Sequence, residues 1–173
     1  LAAISSEPDP GTVAWIEMSP VELVDHLETT HHRYLSDTLP RVGALVDKVA
    51  AVHSDRHPEL VTVRSLFAEL RADLEPHLVK EERVLFPMIR ELATAATAPR
   101  FHCGTLANPI RVMLTEHDTA GDLLARLRAA TANYSVPADG CASYHALYAA
   151  LAEIEADTHL HVHKENSVLF PAV

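Results

Sequence analysis

Apolar residues recur along the chain at spacings of three and four, which is the period of an amphipathic α-helix. Four segments carry such a stripe, and charged residues interrupt each one before it reaches the roughly 18 apolar residues that a bilayer span needs. The stripes comprise Val24, Leu27, Leu35 and Leu39; Leu66, Leu70, Leu74 and Leu78; Ile110, Met113, Leu124 and Leu127; and Leu147, Leu151, Ile154 and Leu169. The pattern predicts an all-α protein built as an antiparallel four-helix bundle.

Helix-start signals divide the chain at the same places. Ser19 can cap a helix whose first turn holds Pro20, and Glu22 can close a capping box with it. Asn108 and Pro109 form a second pair of cap and first-turn residue. The predicted helices run from 19 toward 52, from about 58 to 93, from 108 to about 134, and from about 141 to 170.

Two prolines lie inside these predicted helices. Pro40 predicts a bend in the first helix, and Pro76 predicts a bend or bulge in the second, because each removes a backbone hydrogen bond. Residues 1–17 are expected to be an extension or linker, and residues 18–173 are expected to form one domain.

Composition narrows the classes of function. The net charge of -10 and the lack of any basic run argue against nucleic acid and anionic membranes as partners. The first residues lack the basic start and apolar core of a secretory signal, so a cytoplasmic protein is expected. Cys103 and Cys141 are too few to staple a domain of this size and are expected to be reduced thiols. Twelve histidines, against roughly four in ordinary composition, point to metal or proton chemistry.

The main clue is a repeated phrase. HLVKEERVLFP at 77–87 returns as HVHKENSVLFP at 161–171. Each copy places a histidine four residues before a glutamate, so His77 and Glu81, like His161 and Glu165, share one helix face. A single such pair is commonly a solvated ion pair on a helix surface, so one copy alone is weak evidence for a site.

The repeat extends to the preceding helices. His32 lies 45 residues before His77, and His117 lies 44 residues before His161. Each half of the chain is therefore a helical hairpin with one histidine on its first arm. At a rise of about 1.5 Å per residue, all four histidines can lie in one layer of the bundle. Chance does not account well for six coordinated placements.

The residue types predict the kind of metal. Four imidazoles and two carboxylates suit a pair of borderline metals such as iron, with the carboxylates bridging the ions. A structural zinc needs only four ligands, and calcium or magnesium prefers more oxygen. The His-x-x-x-Glu order also differs from the Glu-x-x-His order of ferritin-like di-iron bundles.

Three motifs carry a resemblance to a known family. HLVKEERVLFPMI, NPIRVMLTEHDTAGDLL and HVHKENSVLFP resemble the hemerythrin-like domain of the RIC (repair of iron centres) proteins, over roughly residues 15–173. The resemblance implies a hemerythrin-like fold holding two iron ions with carboxylate bridges and an oxo or hydroxo bridge. By motif, the terminal ligands would be His32, His77, His117 and His161, and the bridges Glu81 and Glu165. It implies repair of iron–sulfur clusters damaged by oxidative or nitrosative stress, through redox-active, labile iron.

Several alternatives stay open. Apolar phase favours His31 over His32 as the first ligand, whereas the family pattern HHxYLxxxLP and the 45/44 symmetry favour His32, which we take. His159 and His163 are expected to be solvated or to support the ligands from outside. Gly121 stands where oxygen-carrying hemerythrins have a fifth histidine, which predicts room for a small molecule or simply close helix packing.

The ligand spacing is common to three functions: cluster repair, reversible binding or sensing of dioxygen or nitric oxide, and turnover as a nitric oxide reductase or peroxidase. The corresponding partners are damaged iron–sulfur proteins and a small diatomic gas or peroxide. A homodimer is also compatible with the sequence. The paired cysteines of the family's short N-terminal module do not occur in this chain, so a function that depends on those thiols is not predicted.

Overall fold

The computed structural model describes residues 15–97, 99, 101 and 104–173. Six α-helices account for most of these residues, and three short π-helical turns connect or extend them. The helices are α1 (Pro20–Leu27), α2 (Arg33–His53), α3 (Glu59–Lys80), α4 (Phe86–Thr94), α5 (Ala107–Ala130) and α6 (Ala142–Lys164). The π-helical turns are Glu28–His32, Glu81–Leu85 and Glu165–Leu169, and a 3-10 turn, Phe170–Ala172, follows the last.

These elements make four long rods. A π-helical turn joins α1 to α2 and another joins α3 to α4, so each of these pairs is one interrupted helix. In the bundle α2 packs against α3 and α6, and α5 packs against α3 and α6. The predicted all-α four-helix bundle is confirmed. No helix in the described part of the chain is long and apolar enough to cross a membrane.

The predicted helix starts are close to the observed ones. The capping box at Ser19 is present, since Glu22 Oε2 accepts a hydrogen bond from the Ser19 backbone N–H at 2.9 Å and Ser19 Oγ accepts one from the Glu22 N–H at 3.4 Å. Helix α5 begins at Ala107, so Asn108 lies just inside it rather than at its cap. Cys141 is the N-cap of α6.

The internal prolines and the wide turns lie at different places. Helix α2 continues through Pro40 and α3 through Pro76, and wide turns occur at residues 28–32 and 81–85. The third rod ends at Ala130 instead of near Tyr134. Its end is set by three consecutive residues with left-handed backbone, Ala132, Asn133 and Tyr134, whose φ angles are 48°, 60° and 58°. An α-helix cannot continue through that conformation.

Two apolar clusters fill the bundle. The larger, which we call the upper cluster, includes Leu39, Leu70, Leu124 and Leu151, and the lower cluster includes Leu27, Phe86, Met113 and Leu169. All members of the predicted apolar stripes are buried except Ile110, which is half-buried. Trp15 also packs in the lower cluster, although the predicted boundary places it in the extension.

Every rod passes from one cluster to the other, and polar side chains are buried where it does so. On the first rod His32 lies between Leu27 and Leu35, and on the third His117 lies between Met113 and Ala120. A buried polar layer therefore separates the two apolar clusters. All six predicted ligands belong to it.

Candidate metal centre

Six buried side chains converge in the polar layer as two groups of four. One group is His32, Glu81, His161 and Glu165, and the other is His77, Glu81, His117 and Glu165. Within each group, one potential ligand atom per residue lies within 4.8 Å of the others. Both glutamates belong to both groups, so the structure brings together all six side chains on which the spacing argument depends.

The four imidazoles direct Nε2 toward the two carboxylates. The Nε2 atoms of His32 and His77 each lie 3.4 Å from Glu81 Oε2. The Nε2 atoms of His117 and His161 lie 3.1 Å from Glu165, at Oε2 and Oε1 respectively. The Nε2 atoms of His77 and His117 are 3.3 Å apart. Each carboxylate is thus held between imidazoles from different helices.

The π-helical turns place the carboxylates. Glu81 and Glu165 each open such a turn, and the backbone N–H groups of Phe86 and Phe170 donate to the carbonyl groups of Glu81 and Glu165, five residues earlier. In both copies a proline follows the phenylalanine, two residues past the end of the turn. The two copies of the repeat therefore place their glutamates in the same kind of turn.

The first histidine lies in a wide turn of its own. His31 and His32 close the turn Glu28–His32, and both are buried. Of the two histidines, only His32 belongs to one of the groups described above. His31 turns aside, placing Nδ1 2.8 Å from Asp157 Oδ1 and Nε2 2.8 Å from Lys164 Nζ.

A second layer of side chains holds three of the imidazoles by Nδ1. His32 Nδ1 lies 2.9 Å from Glu82 Oε1, His77 Nδ1 2.9 Å from Glu116 Oε2, and His117 Nδ1 2.9 Å from Asn166 Oδ1. A proton on each Nδ1 satisfies these contacts and leaves the lone pair of Nε2 free to bind a metal. Hydrogen bonds of this kind fix the tautomer and orientation of histidines that bind metals.

Two of these supporting residues also follow the repeat. Glu82 and Asn166 are the residues after Glu81 and Glu165, and each supports the histidine on the preceding helix of its own hairpin. Comparing the two copies position by position would have indicated them. Glu116, next to His117, supports His77 and also pairs with Lys80. Only the packing of α3 against α5 reveals that role.

The remaining candidate residues lie outside the two groups. His159 is exposed, 3.5 Å from Glu155, and the exposed His163 contacts the edge of the Trp15 ring. Cys141 is a free, exposed thiol 3.2 Å from His53 Nε2, whereas Cys103 lies outside the described residues.

The electrostatics of the layer are those of a cation site. Glu81 and Glu165 are both 0 % exposed. Burial alone would raise the pKa of Glu165, but the neighbouring His161 and His117 imidazoles hold that pKa well below its usual range. Burial lowers the pKa of His77, yet Glu81 and Glu116 outweigh it and raise the pKa to about 9. Two buried carboxylates thus draw positive charge into the layer.

The hydrogen-bonding capacity of the layer is not used up by the protein. Among the described residues, both carboxylate oxygens of Glu81 and the Nε2 atom of His32 have no hydrogen-bond partner although they are buried, and Glu165 Oε2 approaches His117 without hydrogen-bond geometry. Buried polar atoms are seldom left unpaired, because each costs about 1–3 kcal/mol. These atoms are also the potential ligand atoms. The residues present therefore fit a metal site.

Comparison with known proteins defines the class. The model of the hemerythrin HHE cation binding domain matches residues 23–173, which is most of the chain. This chain belongs to the hemerythrin HHE family, and the family membership predicted from the three motifs is confirmed.

Individual proteins to which the chain is similar carry the name of iron-sulfur cluster repair proteins. The chain is 38% identical over 159 residues to a probable iron-sulfur cluster repair protein of Haemophilus influenzae, a match covering 92% of this chain and 67% of that protein. It is 35% identical over 150 residues to the iron-sulfur cluster repair protein DnrN of Neisseria gonorrhoeae, covering 87% of this chain and 88% of that protein. The iron-sulfur cluster repair protein YtfE of Enterobacter sp. is 34% identical over 158 residues, covering 91% and 67%.

Proposed function

We propose that this chain is a non-haem di-iron protein that supports the repair of iron–sulfur clusters damaged by oxidative or nitrosative stress. The observation that carries the proposal is the pair of buried ligand groups that share both glutamates. Family membership supports iron as the metal. Repair is supported by the names of relatives that are 38%, 35% and 34% identical to this chain.

In this proposal the six side chains divide into terminal and bridging ligands. His32 and His161 would hold one iron, and His77 and His117 would hold the other. Glu81 and Glu165 would be shared by both. The iron pair, when bound, supplies reversible redox change and iron that can leave for a damaged cluster.

The protein residues prepare the site. Glu82, Glu116 and Asn166 hold three imidazoles with Nε2 turned inward, so the ligands need little reorganisation to bind. The two apolar clusters exclude water from the carboxylates on both sides. Desolvated carboxylates attract cations more strongly than hydrated ones, because the local dielectric constant is lower.

We propose further that residues 18–173 form the metal-binding domain and that residues 1–17 precede it as an extension, with Trp15 packed onto it. The free thiol of Cys141 is consistent with a reducing compartment such as the cytoplasm. The partners proposed are damaged iron–sulfur proteins, together with nitric oxide, dioxygen or peroxide at the iron pair.

Reversible gas binding is a second candidate function. Gly121 lies one helical turn after His117, and apart from its chain neighbours and the nearby backbone of its own helix, no atom of the described residues lies within 4 Å of the place where its Cβ would be. This space on the helix face that carries His117 favours entry of a small molecule. Repair and gas binding require the same iron pair, so only a functional assay can distinguish the two functions.

The first experiment measures iron in the purified protein. We expect about two irons per chain from the ligand count, with charge-transfer absorption in the oxidised protein. Replacing both bridges, Glu81→Ala with Glu165→Ala, should lower the iron content because the shared ligands are lost. The matched control replaces two exposed glutamates, Glu91→Ala with Glu153→Ala. The di-iron assignment would be contradicted if the purified protein contained a single zinc or no metal. It would also be contradicted if the variant that lacks both glutamates retained all of its iron.

The second experiment separates repair from sensing. Iron-loaded protein is added to a cluster enzyme inactivated with nitric oxide or peroxide, and the recovered activity is measured against the variant without bridges. Recovery with the intact protein alone supports repair. Lack of recovery, together with reversible gas binding by the same sample, supports the sensing function instead.

A further inference from the structure

Lys164, the lysine of the second repeated phrase, is buried beside the proposed centre. It is only 4% exposed, although lysine is almost never buried unless it is paired. Its Nζ lies 2.8 Å from His26 Nε2 and 2.8 Å from His31 Nε2, and 5.6 Å from the centre of the Trp15 ring. Two imidazoles and an aromatic face thus enclose the ammonium group.

The hydrogen bonds have a consistent direction. An ammonium group only donates, so Nε2 of His31 accepts from Lys164 and the proton of His31 lies on Nδ1. That Nδ1–H donates to Asp157 Oδ1 at 2.8 Å. Asp157, His31 and Lys164 form one chain that keeps a cation in a buried place.

This chain contacts the proposed centre through a ring stack. The His31 ring lies parallel to the His161 ring, with centroids 5.3 Å apart and planes 3° apart. His161 is one of the six proposed ligands. The Asp157 side chain is 22% exposed, so solvent screens its charge more than that of the buried Lys164. The ammonium charge is therefore the less screened of the two.

The first repeat supplies a natural comparison. Lys80 occupies the same place in the phrase as Lys164, but its side chain is 43% exposed and forms an ion pair with the Glu116 carboxylate. Its charge is thus screened by solvent and offset by a direct partner. Lys164 is neither, since its immediate partners are imidazoles. The two halves of the layer therefore differ in electrostatic charge although their ligands match.

We propose that Lys164 is a positioning residue that sets the reduction potential of the iron pair. Its fixed ammonium group, held on His31 behind His161, stabilises the reduced pair, which carries less positive charge than the oxidised pair. This inference depends on the proposed function, because it needs iron at the six ligands. In a water-poor layer such a charge acts at low dielectric, so its effect is larger than that of an exposed lysine.

The test compares the midpoint potentials of iron-loaded variants. Lys164→Met removes the charge at similar volume, Lys164→Gln also keeps a hydrogen-bond donor, and Lys164→Arg keeps the charge. We expect the midpoint potentials of the two uncharged variants to be about 59 mV more negative, which makes reduction about tenfold less favourable per electron. The arginine variant should stay near the unchanged protein. The control Lys80→Met should shift the potential much less.

Iron content and helicity are measured on the same samples. If the unchanged protein binds no iron pair, the proposed function fails. If Lys164→Met holds two irons at an unchanged potential, or shifts no more than Lys80→Met, the inference about Lys164 fails while the proposed function stands. Should the methionine variant not fold, the potentials of the glutamine and arginine variants decide, because they share a polar side chain and differ in charge.

Discussion

Removing iron should lower the thermal stability of the protein substantially. Four buried ligand atoms have no hydrogen-bond partner in the part of the chain that the structure describes: His32 Nε2, both oxygens of Glu81, and Glu165 Oε2. We take about 1 kcal/mol for each, the low end of the usual cost, because neighbouring imidazoles offset part of the carboxylate charge. The metal-free protein should thus be less stable by about 4 kcal/mol. For a chain of this length that corresponds to a melting temperature lower by about 8–16 °C.

Differential scanning calorimetry of iron-loaded and chelator-treated protein measures this difference, and anaerobic addition of ferrous iron should reverse it. In the control, Glu81→Gln with Glu165→Gln, the melting temperature should not respond to chelator or iron, because the shared ligands are gone. A difference below about 3 °C between loaded and metal-free protein, that is about 1 kcal/mol, would refute the reasoning. It would mean that the polar layer is satisfied without metal.

The other predictions concern the supports of the site and the fold. Glu82→Gln should lower iron affinity by about tenfold, the low end for a hydrogen bond to a metal ligand, because the Glu82 side chain is 42% exposed. Asn166→Leu should lower iron affinity by about as much or more. Competition with a chelator measures both affinities. Leu70→Ala should destabilise the protein by about 2–5 kcal/mol in urea, whereas Val61→Ala at an exposed position should have little effect; equal costs would contradict the assigned core. Ser19→Ala should cost about 1 kcal/mol through the lost cap, and an unchanged urea midpoint would argue against that cap.

The presence of the helices was predictable because it depends on the periodicity of apolar residues, whereas the place where a helix ends can depend on packing. The capping box at Ser19 is a local signal and is present. The end of the third rod is not local: Tyr134 adopts a left-handed conformation and its hydroxyl donates to the buried Glu155 at 2.5 Å, while Arg128 pairs with Glu155 from another side. These contacts join residues 21 and 27 positions apart, so no local pattern indicates them.

The six central side chains were predictable because a twofold repeat fixes both identity and spacing. The helical spacing of the apolar residues alone favoured His31 over His32, because that spacing argument assumes a regular α-helix. The wide turn Glu28–His32 breaks that phase, so both rings are buried and point in different directions. The burial of Lys164 was not predictable either, because its partners His26 and His31 come from the far end of the chain.

The wide turns have a consequence for how the chain can vary in length. The turns that begin at Glu81 and Glu165 each contain one residue more than a regular α-helical turn, and Phe86 and Phe170 of the lower cluster follow them directly. Because the Phe86 N–H group already bonds to the Glu81 carbonyl group, deleting one residue between them would make this contact a regular α-helical hydrogen bond and leave Phe86 in place. The residues between them would change direction, among them Glu82, which contacts His32. A change of length in these turns should therefore alter the support of the histidines while the apolar clusters stay packed.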